Sequence, residues 1–283
     1  TVRSRVHLEN IKIIGTGQTG VYERGIFTDE DGVHDITLKN ISISNLTVGV
    51  QFQPISKLTP TNIHGNISFR DIIGKPGNYE GYGLLLSPAH KCTLKVDGDR
   101  IARHAIYLSA GASQNHLSFS IKNCKGDAVT IYSKSFQESC ESNILTGKIE
   151  RIEKIETVSN NSAISINGKA NYNTVQNVQI SGSGYSAIKI EGECEGQAFP
   201  QKNKIEHFAI TGEYVEAIST VCSIGTLIRF GNIEANSKYF QIGFREAGKF
   251  NSKGEDKIES SVKVSGKSIE NKAIFRDKNP AHK

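Results

Sequence analysis

RHAIYLSAGASQN, residues Arg103 to Asn115, is the shortest copy of a phrase that returns along most of the chain. A small residue, Ala105, opens an alternation of apolar and polar positions: Ile106, Tyr107, Leu108, Ser109. A glycine-containing turn follows, and Asn115 starts the next apolar segment. Period-two alternation marks a strand with two unlike faces, and glycine with asparagine supplies the turn chemistry.

Working outward, the same phrase reads GIFT from Gly25, GVQF from Gly49, GLLL from Gly83 and AVTI from Ala128. It continues as AISI from Ala163, AIKI from Ala187 and AIST from Ala217. The starts are 22 to 35 residues apart, with a base unit of 22 to 24 and occasional insertions. That period fits one coil of a parallel β-helix, a solenoid that grows by adding coils rather than domains. A leucine-rich repeat is excluded because its LxxLxL phrase is absent, and helical repeats because nothing here has a 3.6-residue period.

A second marker runs ahead of the first. Asn10, Asp35, Asn115, Asn143, Asn173 and Asn203 each precede an apolar-alternating stretch, such as NIKIIG or NTVQNV. Asparagines stacked at a turn can pass hydrogen bonds from coil to coil and satisfy polar groups that would otherwise be buried unpaired.

Alternation sorts each strand into two columns. Val50, Leu84, Leu86, Ile106, Leu108, Val129, Ile131, Ile164, Ile166, Ile188 and Ile190 point inward. Each such buried aliphatic side chain stabilises by about 1.5–3 kcal/mol. The outward column holds Gln51, Gln53, Leu85, Ser87, Tyr107, Ser109, Thr130, Tyr132, Ser165, Asn167, Lys189, Glu191 and Ser219. A long strip of hydroxyl, amide and aromatic groups suits an extended hydroxylated polymer better than a small apolar metabolite. Insertions near residues 51–80, 132–161 and 191–201 bulge from this solenoid, and such loops tend to share the binding face.

The 283 residues are 37% hydrophobic and 22% charged, with 27 glycines and a net charge of +5. This is too apolar and too patterned for a disordered chain. The lysines of the last 35 or so residues carry no interleaved aromatics and read as a solvated face, not a nucleic-acid patch. No run is long enough to span a membrane. Neither nucleic-acid binding nor membrane insertion is therefore expected. Five cysteines without CxxC or CxxH spacing (Cys92, Cys124, Cys140, Cys194 and Cys222) read as free thiols, neither a disulfide framework nor a zinc site. No metal and no cofactor is expected. The chain lacks methionine and begins at Thr1, which reads as a processed or excised piece of something longer. Its first strands have no capping helix, so an N-terminal portion or a partner is expected to cover that end.

The Asn marker with AIxI strands resembles the right-handed parallel β-helix of the pectin-lyase-like superfamily. RHAIYLSAGASQN followed by NCKGDAVTIYS is most similar to phage tailspike and tail-fibre depolymerases of that superfamily. The resemblance covers roughly residues 5 to 245. It implies an all-β, single-stranded right-handed parallel β-helix of about ten coils over 1–245. Residues 246–283 are then a lysine-rich segment that can add one last irregular coil. It further implies a homotrimer on a virion tail or extracellular surface, binding and cleaving bacterial capsule or lipopolysaccharide by hydrolysis or β-elimination. The paired Asp and GHG of polygalacturonases, the RxPxxR of pectate lyases and the DHH of alginate epimerases are absent, so no residue role carries over from those enzymes.

The chemistry must then be read from residue types. A lyase needs a base for the C5 proton, a cation for the uronate carboxylate and an acid for the leaving oxygen. Arg103, His104, Tyr107 and Tyr132 supply these types on two successive coils. A hydrolase needs two carboxylates, and Asp127, Glu191 and Glu193 are the candidates, with Glu191 next to Lys189. Tyr107, Tyr132, Lys189, Gln51 and Asn167 are the expected substrate contacts. Two other classes fit the same pattern: a non-catalytic glycan-binding spike or adhesin that stacks tyrosines on sugar faces, and a structural rod without a ligand.

Overall fold

A computed structural model describes residues 3–28, 31–54, 58–74, 79–151, 161–193, 198–245, 255–268 and 274–277. Among them there is no α-helix; every pairing between strands is parallel. The chain winds through two long ladders joined by short turns. In the first ladder His34–Ser44, Thr61–Ile72, Thr93–Ile101, His116–Cys124 and Ile144–Arg151 lie side by side. In the second, Val48–Phe52, Tyr82–Leu86, His104–Ser109, Val129–Ser133 and Ser162–Gly168 do the same. Thr174–Glu191 and Lys204–Val221 are long enough to serve both ladders, one with each half. Counted among the described residues, each ladder has ten rungs, about 43 Å at the usual strand spacing. This is the expected parallel β-helix.

The tenth rung comes from the lysine-rich end. Lys257–Ile258 and Lys263–Ser265 pair with Leu227–Ser237, and Ile274–Asp277 pairs with Ile242–Arg245. At the other end, His7–Glu9 and Lys12–Ile14 form the first rung on His34–Ser44. Leu8 and Ile13 continue the inward columns of Leu38 and Ile43, and with Val6 and Ile11 they pack against the core but remain only partly buried.

The inward columns are where alternation puts them. Val50, Leu84, Ile106, Val129, Ile164 and Ile188 stack in one register, and Leu86, Leu108, Ile131, Ile166 and Ile190 in the next; all are fully buried. The small residue that opens each phrase is buried too: Ala105, Ala128, Ala163, Ala187 and Ala217 belong to the core, not to the outward face. Glycine fills the same position in three earlier coils, at Gly25, Gly49 and Gly83. Gly49 shows the limit, since a Cβ built on it would lie 2.4 Å from the Phe69 ring.

On the third side of each coil only short parallel bridges form among the described residues, such as Cys140–Glu141 with Ala170–Asn171, and a buried asparagine column runs beside them. Asn115 Nδ2 donates to Asn143 Oδ1 at 2.9 Å, Asn143 to Asn173 at 2.9 Å and Asn173 to Asn203 at 3.2 Å, all fully buried. Each Oδ1 also accepts a backbone N–H one coil back, from Cys92, Asn115, Asn143 and Asn173 in turn. Each residue before these asparagines, from Gln114 to Lys202, has a left-handed φ between 52° and 59°. Such a conformation costs about 1–2 kcal/mol without glycine, and the buried amide bonds that follow hold it in place.

Asn10 and Asp35 do not belong to this column. Asn10 stacks with Asn40 and Asn66 on the surface of the first ladder, and Asp35 accepts from Asn62 there. The marker merges two kinds of stack, one buried and one solvated. The cysteines also divide. Cys92, Cys124 and Cys140 are buried free thiols, as expected, but Cys222 is disulfide-bonded. Cys194 lies outside the described residues.

Candidate functional site

A cleft of about 820 Å³ lies over the outward face of the second ladder in the first five coils. Tyr22, Tyr79, Tyr82, Tyr107 and Tyr132 line it, with Gln51, Gln53 and Gln137, the hydroxyls of Ser87 and Ser109, and the charged side chains of Glu80, Arg103 and Lys134. Ladder register explains the arrangement. Tyr82 pairs with His104, Leu85 with Tyr107, and Ser109 with Tyr132, so side chains from successive coils stand side by side. Tyr107 and Tyr132 are therefore on adjacent coils but two residues apart along the strand, rather than directly stacked.

The floor is an aromatic cluster. Tyr82 and Tyr107 meet edge to face with ring centres 5.4 Å apart, and the His104 ring lies 5.6 and 5.2 Å from them. The Arg103 guanidinium sits 4.9 Å over the Tyr82 ring, a cation–π contact that holds the charge at the cleft edge. Burial raises the pKa of Tyr22, Tyr82 and Tyr107, and mutual proximity raises Tyr107 further against a small lowering from Arg103. These phenols stay protonated at neutral pH, so they can donate protons or hydrogen bonds but cannot act as bases. Tyr22 donates to Gln51 Oε1 at 2.9 Å, and Gln51 Nε2 to Gln53 Oε1 at 2.8 Å. This relay fixes the orientation of both amides.

Two expected catalytic residues stand behind the floor. His104 and Asp127 do not line the cleft. His104 Nδ1 donates to the Asp127 carbonyl at 3.0 Å, an acceptor that fixes the proton on Nδ1. Burial lowers its pKa despite the opposing pull of Asp127, so the ring is neutral. The Asp127 carboxylate accepts from the Ser162 amide at 2.5 Å and the Thr130 hydroxyl at 3.4 Å. Both residues brace the cluster; neither faces the space a ligand would fill.

The outward strip is not one continuous surface. Thr130, Ser165, Lys189 and Ser219 are 9% exposed or less, because neighbouring outward side chains close over one another along the ladder. Lys189 and Glu191 form an ion pair at 2.8 Å, and Asn167 donates to Ser165 Oγ at 2.8 Å. These residues and Glu193 lie beyond the fifth coil and outside the cleft. The structure thus gathers Gln51, Arg103, Tyr107 and Tyr132 from the sequence-based candidates. It adds Tyr82, the first residue of its strand, and Tyr22, Tyr79, Glu80, Lys134 and Gln137, which flank the strands or sit in insertions. The insertions near residues 51–80 and 132–161, next to the outward strip, were the signal that could have found Tyr79, Glu80, Lys134 and Gln137.

Among the described residues no group of three or more His, Cys, Asp or Glu side chains could hold a metal ion. No protein-family model, no curated protein and no solved structure matches the chain.

Proposed function

We propose that the chain is a tailspike-type depolymerase of the pectin-lyase-like kind that holds an acidic bacterial surface polysaccharide in this cleft and cleaves it by β-elimination. One observation carries the reading: five tyrosines, three glutamines, Arg103 and Lys134 line a single cleft spanning five coils. Tyrosine rings offer flat amphipathic surfaces to sugar faces, side-chain amides bond hydroxyl and acyl groups, and Arg103 can pair bidentately with a uronate. Elimination is favoured over hydrolysis because Glu80 is the one carboxylate among the described lining residues, whereas hydrolysis calls for two. The disulfide at Cys222 is in keeping with an oxidising, extracellular setting. A homotrimer is the assembly proposed with this reading.

The alternative is a non-catalytic receptor spike that binds the same glycan. It is favoured by one specific observation: the His104 and Asp127 side chains are engaged with each other's surroundings behind the cleft floor. Incubation with purified uronate-containing polysaccharides separates the two. Growth of ultraviolet absorbance from unsaturated uronate ends supports the lyase. Reducing ends without that absorbance mean hydrolysis, and saturable binding with neither leaves the spike.

A further inference from the structure

Glu80 is the carboxylate that the sequence pattern passes over, and it shares the cleft with Arg103 and Tyr107. It lines the cleft yet is only 4% exposed. Its backbone is pinned on both sides. The Gly81 amide donates to the Thr47 carbonyl at 2.7 Å, and the Gly81 carbonyl accepts the amides of Arg103 and His104 at 3.1 Å each. Gly81 has φ +87°, and a Cβ there would lie 2.8 Å from Arg103 Cβ; on the other side a Cβ on Gly74 would come within 2.8 Å of the Glu80 backbone. Glycine alone allows the strap to lie this close, and the close fit fixes Glu80 against the coil that carries Arg103 and Tyr107. A group that is to do chemistry needs its backbone held by such supporting contacts.

We infer that Glu80 is the catalytic base of the cleft, taking the C5 proton of a uronate whose carboxylate Arg103 neutralises. The inference rests on the depolymerase reading above. The C5–H electron pair forms the C4=C5 double bond and the C4–O bond breaks. The leaving oxygen takes the proton of the Tyr107 hydroxyl. Glu80 then releases its proton to water and Tyr107 regains one, so nothing is consumed. His104 and Asp127 are set aside as bases because neither reaches the cleft.

The test uses polygalacturonate, alginate and hyaluronan as probes, followed by ultraviolet absorbance and by reducing-end release. Glu80→Gln is expected to lower kcat by about 10²–10⁴-fold, with KM within about threefold. Glu80→Asp is expected to keep part of the activity with a displaced acid limb of the pH profile, which a purely structural role would not move. If the wild type eliminates and Glu80→Gln keeps more than about a tenth of its rate, Glu80 is not the base and the lyase reading stands. Reducing ends without unsaturated product overturn the base assignment and convert the reading to hydrolysis. A wild type silent on all three probes removes both. Should Glu80→Gln not fold, an unmoved acid limb in Glu80→Asp overturns the assignment by itself.

Discussion

Ser223 donates its hydroxyl to the carboxylate of Asp256, which also accepts the Thr226 amide at 2.7 Å. The buried column of asparagines ends in this acid: register carries it from Asn203 through Thr226 to Asp256. Each asparagine Nδ2 donates to a backbone carbonyl of the previous coil, at Ala89, Ala112, Cys140 or Ala170. At the corresponding place for Asp256 stands Ser223, whose hydroxyl gives the carboxylate a donor. Ser223→Ala should destabilise the protein by about 1–3 kcal/mol, the cost of leaving a buried acceptor unpaired. In an Asp256→Asn background the same change should cost almost nothing, because the pair then matches the Asn–Ala rungs. Equilibrium unfolding of the double-mutant cycle reads the coupling; additive effects would refute it.

The same acid gives a pH signature. Burial raises the Asp256 pKa above the ordinary carboxylate value, outweighing its hydrogen bonds and Arg276. A folded-state pKa raised in this way favours folding of the protonated form. Its contribution is full below the unfolded pKa and lost as pH rises through the folded one. The melting temperature of Asp256→Asn relative to wild type should therefore climb from mildly acidic to neutral pH. A flat difference across that window would show that the carboxylate is not strained by burial.

Within the column itself, the Asn143 side chain takes part in four bonds, accepting from the Asn115 amide and side chain and donating to Ala112 and Asn173. Asn143→Ala should cost on the order of 3 kcal/mol, since several buried groups lose partners at once. Asn66→Ala, in the solvated stack with Asn40, should cost below about 1 kcal/mol because water replaces its two bonds to Asn40. Urea unfolding of the two variants makes the comparison.

The contrast between those stacks shows where the sequence was legible. Ile106, Leu108, Val129 and Ile131 were readable because a period of two has one solution once an interior exists. The asparagine marker was readable as a stack but not as buried or exposed: Asn10 and Asn115 both precede an apolar alternation, yet Asn10 is itself left-handed and stands within the first ladder, while Asn115 precedes it behind a left-handed Gln114. Arg103, Tyr107 and Tyr132 could be placed by register. Glu80 could not, because it ends an insertion whose path no periodicity fixes; Tyr82 is in register with His104 but lies before the small residue at which the repeat was aligned. His104 looked like a base by type, but the depth at which it sits depends on the Asp127 carbonyl one coil on.

Gly126 tests how closely Arg103 is held. A Cβ built on it would lie 2.1 Å from the Arg103 carbonyl oxygen, a clash with backbone that no rotamer relieves. Gly126→Ala should lower stability by about 1–3 kcal/mol and weaken binding of acidic glycans by moving Arg103, although Gly126 does not line the cleft. Binding measured at a temperature where the variant is fully folded separates the two effects; unaltered affinity would mean that Arg103 tolerates the shift.

Tyr107 carries the sharpest functional expectation. Its pKa is raised by burial and by Tyr82 and Tyr132, so its hydroxyl is a proton donor throughout the neutral range. It lines the cleft beside Arg103, where a leaving glycosidic oxygen would need that proton. Tyr107→Phe keeps the ring contacts with Tyr82 and His104 and should leave the melting temperature within a degree or so. Cleavage should fall by about 10²–10⁴-fold if the hydroxyl moves the proton, while glycan affinity, which depends on the ring face, should hold. Arg103→Ala should do the reverse on binding, weakening acidic glycans more than neutral ones. If both variants retain full depolymerase activity while changes at Glu191 or Glu193 abolish it, the reaction lies further along the rod. Two carboxylates would then be its machinery.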